Sequence, residues 1–325
     1  MAAKLDRQTL DGQTLDRQDA GPAGRLRGKG SQMTQEWQID GPKVLDIGDE
    51  HETVRKLQLG LVAGRVDIVT HDDSPTARLE VYEVEGGAPL LVTWDGSTLK
   101  ISHVKDKNGS LWDGVRLMAT DKGKRRARVS ISVPATTRIN ASTVSAEALI
   151  NGVRATVKAN TVTGVITLDD ITGNVDANTV SGDIECHGLE GDFNGNSISG
   201  ALTVQASRLG QIRLNTISGD ITLDLTDGRA QIQSNSVSGD VTVRIPPGGG
   251  YDVTARTATG HVVIDGQSMN GSAPYQRGGQ LSVGDKALAI KANSVSGNVV
   301  VLRATDIQDT KPDVQDAAPD PENAR

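Results

Sequence analysis

The chain reads as all-β: a single-stranded, β-helix-like solenoid with 18–21-residue coils, right-handed or flattened, and disordered ends. Three observations predict this. The stretch NTVSGDIEC, starting at Asn178, recurs as NSISGALTV from Asn196, NTISGDITL from Asn215, NSVSGDVTV from Asn235 and NSVSGNVVV from Asn293. Apolar side chains alternate with period two between the copies, as in strands with one buried face. Hydrophobic residues make up 36% of the chain and aromatics 2%, so a thin core must be filled by Val, Ile, Leu and Ala.

The N-terminal stretch MAAKLDRQTLDGQTLDRQ is polar, charged throughout and low in complexity. It lacks the apolar centre of a secretory signal. Residues 1–33 are expected to be a disordered tail or an over-translated start, with Met33 as the alternative first residue. Strand-like alternation begins at EWQID, and the domain is expected to run from 34 to 303. Residues 34–60 suit a cap, because a solenoid end exposes apolar layers. LVAGRVDIV, from Leu61, reads as a remote first copy. From about 70 to 135 the period fails, and ARLEVYEV, PLLVTWDG, STLKISHV and ARVSISVP read as hairpins or widened coils.

Regular coils are expected from about 139 to 303. The opening Asn stands at 160, 178, 196, 215 and 235, in steps of 18, 18, 19 and 20. STVSAEALI from Ser142 is an earlier copy, and RTATGHVVI from Arg256 an eroded one. The copy at Asn293 follows Arg256 by 37 residues, which is two coils or one coil with an insertion. So short a unit cannot bury its apolar face alone and must stack on the next. Asn160, Asn178, Asn196, Asn215, Asn235 and Asn293 would then form a ladder of side-chain amides that satisfies buried turn backbone. The alternative is that Asn tolerates a left-handed turn. Gly164 and Gly173 have inward parity and mark corners or close backbone approaches. Residues 304–325 hold six acidic and two basic side chains with three prolines, an acidic disordered tail.

The motif [NT]-[ST]-[VI]-S-G-[DN]-[IV], the VP and IPPG strand ends and the opening EWQID resemble a bacterial family of domains of unknown function. That family carries an adhesin label and includes the LiaG-like proteins of cell-envelope stress operons. The resemblance spans roughly 34–303. It implies a β-strand repeat fold and a link to envelope stress, and it supplies no catalytic residue.

The residues themselves argue against several chemistries. His51, His71, His103, His187 and His261 have no ligand spacing, so neither a metal nor another cofactor is expected. Asp183, Asp220 and Asp240 follow the motif glycine, but Val165 and Ala201 interrupt that column and it reads as turn polarity rather than a Ca²⁺ site. Cys186, the single cysteine, has inward parity and excludes an internal disulfide. That fits a reducing compartment, and the expected location is cytoplasmic. No apolar stretch approaches a membrane span. The net charge of −7 argues against general nucleic-acid coating.

One basic, Trp-bearing region stands out. Trp112, Lys124, Arg125, Arg126 and Arg128 are the candidate binding residues, for an acidic protein or an anionic polymer. Alternation places Arg126 and Arg128 on one face, opposite Ala127 and Val129. The expected function is a non-catalytic binding or scaffold protein of a bacterial cell. The alternatives are a self-assembling, bactofilin-like structural solenoid that associates through its coil ends, and a carbohydrate-active β-helix enzyme.

Overall fold

The computed structural model describes residues 34–103, 125–269 and 277–304. Expectations for the N-terminal tail, Met33, Trp112, Lys124 and the acidic tail beyond 304 lie outside these residues. The described chain is all-β. Its strands form two hydrogen-bonded ladders whose inward side chains meet in one apolar cluster.

The first ladder runs, in spatial order, through β1 (Gln35–Ile39), β5 (Leu90–Trp94), β6 (Thr98–Ser102), and the first halves of β3 (Lys56–His71) and β8 (Arg138–Asn151). It continues through β9 (Val157–Thr161), β11 (Val175–Thr179), β13 (Glu190–Ser197) and the second half of β14 (Leu202–Thr216). Then come β16 (Gln231–Ser236), β22 (Leu288–Asn293), β18 (Tyr251–Thr257) and β21 (Arg277–Val283).

The second ladder runs through β2 (Lys43–Ile47), β4 (Ala77–Glu85), β7 (Arg126–Pro134), the second halves of β3 and β8, β10 (Ile166–Asp169) and β12 (Ile184–His187). It ends through the first half of β14, β15 (Ile221–Leu225), β17 (Val241–Ile245), β23 (Val299–Arg303), β19 (Val262–Ile264) and β20 (Gln267–Ser268). Pairing is parallel through the middle and antiparallel at both ends of each ladder.

In the parallel region each residue pairs with its counterpart one copy away, for example Val157↔Val175↔Phe193 and Leu168↔Cys186↔Val204. Like stacks on like, so Ile, Val, Leu and Ala fill matched buried layers. The bulkiest buried side chains are Trp94 near one end, Phe193 in the middle and Tyr251 near the other end.

Two sequence expectations need correction. First, stacking order is not chain order. β22 and β23 lie between the rung of β16–β17 and that of β18–β19, so the copy at Asn293 is one coil slotted between two earlier ones. In the same way β3 lies between β8 and the pair β6–β7. Residues 56–71 and 126–134 are therefore parallel rungs, and the irregular region expected at about 70–135 is narrower. Its hairpin strands β4 and β5, with β1 and β2, form the antiparallel end of the two ladders, whereas Lys56–Gly60, expected within a 34–60 cap, pair as part of a parallel rung.

Second, the asparagines do form a column, with Nδ2-to-Oδ1 bonds of 3.0 Å from Asn178 to Asn160 and 2.8 Å from Asn196 to Asn178. Asn215 donates to Asn196 and Asn235 to Asn215, each at 2.9 Å, and Asn293 to Asn235 at 3.0 Å. These amides are half-buried or exposed and bond to one another rather than to turn backbone. The buried turn N–H is satisfied by the neighbouring hydroxyl. Thr161, Thr179, Ser197, Thr216, Ser236, Thr257 and Ser294 each accept from the motif glycine three residues on. That glycine is fixed by crowding: a Cβ on Gly200 would overlap the carbonyl oxygen of Gly182, and Gly219 meets Gly200 in the same way.

Candidate binding face

Outward side chains of the first ladder form an open polar face. Over the second half of β14, β16, β22 and β18, register puts Gln211, Gln231, Ala289 and Asp252 in one row. Arg213, Gln233, Lys291 and Thr254 form the next row, and Asn215, Asn235, Asn293 and Arg256 the third. Ala289 is the small residue of its row. A depression of about 490 Å³ opens there, lined by Gln211, Gln231, Asp252, Arg213, Lys291 and Arg256 among others.

The charges of this face are unbalanced. Elsewhere on the stack several cations meet acids: Lys158 with Asp176 at 3.4 Å, Arg244 with Asp224 at 3.5 Å and Arg208 with Glu190 at 3.7 Å. Arg213, Lys291 and Arg256 stand in no ion pair among the described residues; Arg213 reaches the Gln211 amide oxygen at 3.4 Å. The one carboxylate of the depression, Asp252, accepts from Gln280 at 2.9 Å and Ser282 at 2.7 Å, and these bonds lower its pKa. Three cations and three glutamine amides therefore surround a shallow, open floor, which suits an extended anionic ligand better than a small enclosed one.

The region singled out in the sequence looks different. Arg126 and Arg128 are exposed and Ala127 and Val129 buried, as alternation requires. But β4 brings Glu85 opposite Arg126 and Glu83 opposite Arg128. The Arg128 guanidinium lies 5.7 Å from the Tyr82 ring centroid, and the Tyr82 hydroxyl donates to Glu80 at 3.0 Å. Arg125 donates to the His103 carbonyl at 3.1 Å. Arg125 and Arg128 thus have local contacts and Arg126 stands in register with Glu85, while Trp112 and Lys124 fall outside the described residues.

Other candidate groups have structural surroundings. Cys186 is buried in the core column, and desolvation pushes its thiol pKa well up. Asp183, Asp220 and Asp240 accept N–H bonds from Ala201, Asp240 and Asn298 on the next rung, at 2.7–2.9 Å. His187 Nδ1 lies 3.1 Å from Asp169. His103 is 2% exposed; its Nδ1 faces the Val62 N–H at 3.4 Å, and burial with the nearby Arg125 charge lowers its pKa to about 4. Among the described residues no group of three His, Cys, Asp or Glu is placed to hold a metal ion. No helix among them is long and apolar enough to cross a membrane.

The polar face was not legible as a site, because its residues come from four separate strands and, apart from Arg256 and the asparagine row, lie outside the motif. One signal was available: Ala289 occupies an outward position at which the two preceding rungs carry glutamine.

No protein with a curated description matches the chain. Among solved structures, a "putative cell adhesion protein" from Clostridium sporogenes aligns with 81% of this chain and 100% of its own, at 14% identity and a TM-score of 0.25. A "putative lipid binding protein" from Parabacteroides distasonis aligns with 82% of this chain and 97% of its own, at 14% identity and a TM-score of 0.39. Residues 69–302, well over half of the chain, match the family model described as Toastrack DUF4097. The chain, with its adhesin-like repeat motif and paired ladders, belongs to the Toastrack DUF4097 family.

Proposed function

We propose that this protein is a non-catalytic binding or scaffold protein of a bacterial cell, a β-solenoid that holds an extended anionic polymer across the outer face of β14, β16, β22 and β18. The observation that carries the reading is the cluster of Arg213, Lys291 and Arg256, without acidic partners, around the floor at Ala289. Rungs about 4.8 Å apart repeat donors at a spacing that a polymer lying along the stack can follow. The family resemblance supports a link to envelope stress, and the single buried cysteine is compatible with the cytoplasm.

End-to-end assembly of the bactofilin kind has less support. Each described end of the ladders carries antiparallel strands, β1 and β2 at one and β20 and β21 at the other, so no parallel coil lies open for a further rung.

The test is fluorescence anisotropy with labelled poly-L-glutamate as the probe polyanion, at low and high salt. Wild type should bind and weaken as salt rises. The triple variant R213S/K291S/R256S should bind at least about tenfold more weakly, a loss of about 1.4 kcal/mol. Unchanged binding would remove this face from consideration, and loss through R126S/R128S instead would move the site to β7.

A further inference from the structure

The third residue of the motif lies at the corner between the ladders and is aliphatic in every copy. Successive rungs connect there through backbone bonds: Ser181 N–H to the Val162 carbonyl at 2.8 Å, and Ser199 to Val180, Ser218 to Ile198, Ser238 to Ile217 and Ser296 to Val237, each at 2.9 Å. These bonds place Val180, Ile198, Ile217, Val237 and Val295 in one file, exposed by 42%, 46%, 51%, 46% and 52%. The corner chemistry does not demand this. The carbonyl of any residue can accept the next Ser N–H, and Thr would satisfy strand preference equally well. At the other end of the stack the equivalent Val62 and Val144 are buried, at 3% and 4%.

The surroundings identify the occupant. One flank of the file is the Asn178–Asn293 column and the other consists of Ser181, Ser199, Ser218, Ser238 and Ser296, so the strip is uncharged in a chain of net charge −7. A charged partner gains nothing there. A lipid surface would call for aromatic or cationic residues beside the aliphatics, and neither flanking column has any. A second copy fits, because an isologous contact requires a patch complementary to itself. Turned about a two-fold axis through Ile217, the file sets Ile217 on Ile217, Ile198 on Val237 and Val180 on Val295, with the largest pair at the centre. The file is about 19 Å long at about 4.8 Å per rung. Its short length makes the contact small and the association reversible.

We infer that the Val180–Val295 file is the contact surface of a two-fold symmetric dimer of this chain. This is independent of polymer binding, since the file and the Arg213–Lys291 face consist of different residues. Sedimentation velocity over a concentration series should show a monomer–dimer equilibrium for the full chain. I198S/I217S should weaken it at least tenfold while leaving the melting temperature within a few degrees. Ile217→Cys should form a disulfide-linked dimer on mild oxidation, whereas Thr222→Cys, on the second ladder, should not; buried Cys186 does not compete. The inference is overturned by a monomer at every concentration, by dimerisation that survives I198S/I217S, or by equal cross-linking at the two cysteine positions. A monomer whose binding to neutral phosphatidylcholine vesicles is lost in I198S/I217S would overturn it in favour of a lipid surface.

Discussion

Asn293 donates its side-chain amide to Asn235 at 3.0 Å, although 58 positions separate them along the chain. The rung between them in sequence, β18, lies on the far side of β22, and its Arg256 pairs in register with Asn293. Late residues thus complete a gap left by earlier ones. Val301→Asp places an unpaired charge at a fully enclosed position between Val243 and Ile264. It should cost more than about 4 kcal/mol and loosen the rungs on both sides together. Hydrogen exchange is the measurement: protection in β17 and β19 should fall in step.

Corner hydroxyls should matter more than the asparagines that announce the repeat. Thr179→Ala leaves the buried Gly182 N–H without its 2.8 Å partner, at a cost of about 1–3 kcal/mol. Asn178→Ala breaks two amide–amide bonds in a half-buried column that water can reach, at about 0.5–1.5 kcal/mol. Denaturant midpoints should rank Thr179→Ala below Asn178→Ala, and the reverse order would make the amide column the stronger element.

Gly200→Ala tests the crowded glycine column. The added methyl would overlap the Gly182 carbonyl oxygen, so two rungs must separate. A loss of at least about 3 kcal/mol is expected, large for one methyl group. Gly41, where a Cβ would meet nothing within 4 Å, is the control, and its alanine variant should melt near the wild-type temperature.

His103 should give the fold a pH dependence. Its pKa is about 4 in the folded chain, against an ordinary value of 6.5, because burial disfavours the charged ring and the Arg125 charge adds to this. Between those values the unfolded chain binds the extra proton, so stability rises with pH there. The contribution is complete above about pH 6.5, declines as pH falls and is gone below about pH 4. Melting temperatures across this window should flatten in His103→Asn relative to wild type.

Much of the fold was readable because the repeat period and the strand period agree. From Val157 to Ile245 the copy offsets of 18, 19 and 20 residues are the pairing offsets, and parity correctly placed Cys186 in the core. Rung order at the ends was not readable, since a copy at Asn293 pairs equally well on either side of a like neighbour. The one hint lay at Arg256, where the amide is replaced on the outermost parallel rung of the column. The polar face stayed hidden because Gln211, Gln231, Ala289 and Asp252 become a row through that same reordering. The basic cluster was visible as composition, but its setting was not: β4 places Glu83 and Glu85 in register with Arg128 and Arg126.

The slotted coil has a consequence for synthesis. A nascent chain that has emerged through residue 264 has made the strands on both sides of the gap, but the strands that fill it, 288–303, are still to come. Until they leave the ribosome, β16 and β17 on one side and β18 and β19 on the other each offer an unpaired parallel edge, to which any alternating, valine-rich strand could add. Folding of this region must therefore finish after translation has passed residue 303. A chain cut short before that point would carry an open slot shaped for its own missing strand, and a peptide spanning 288–303 is the natural reagent to close it.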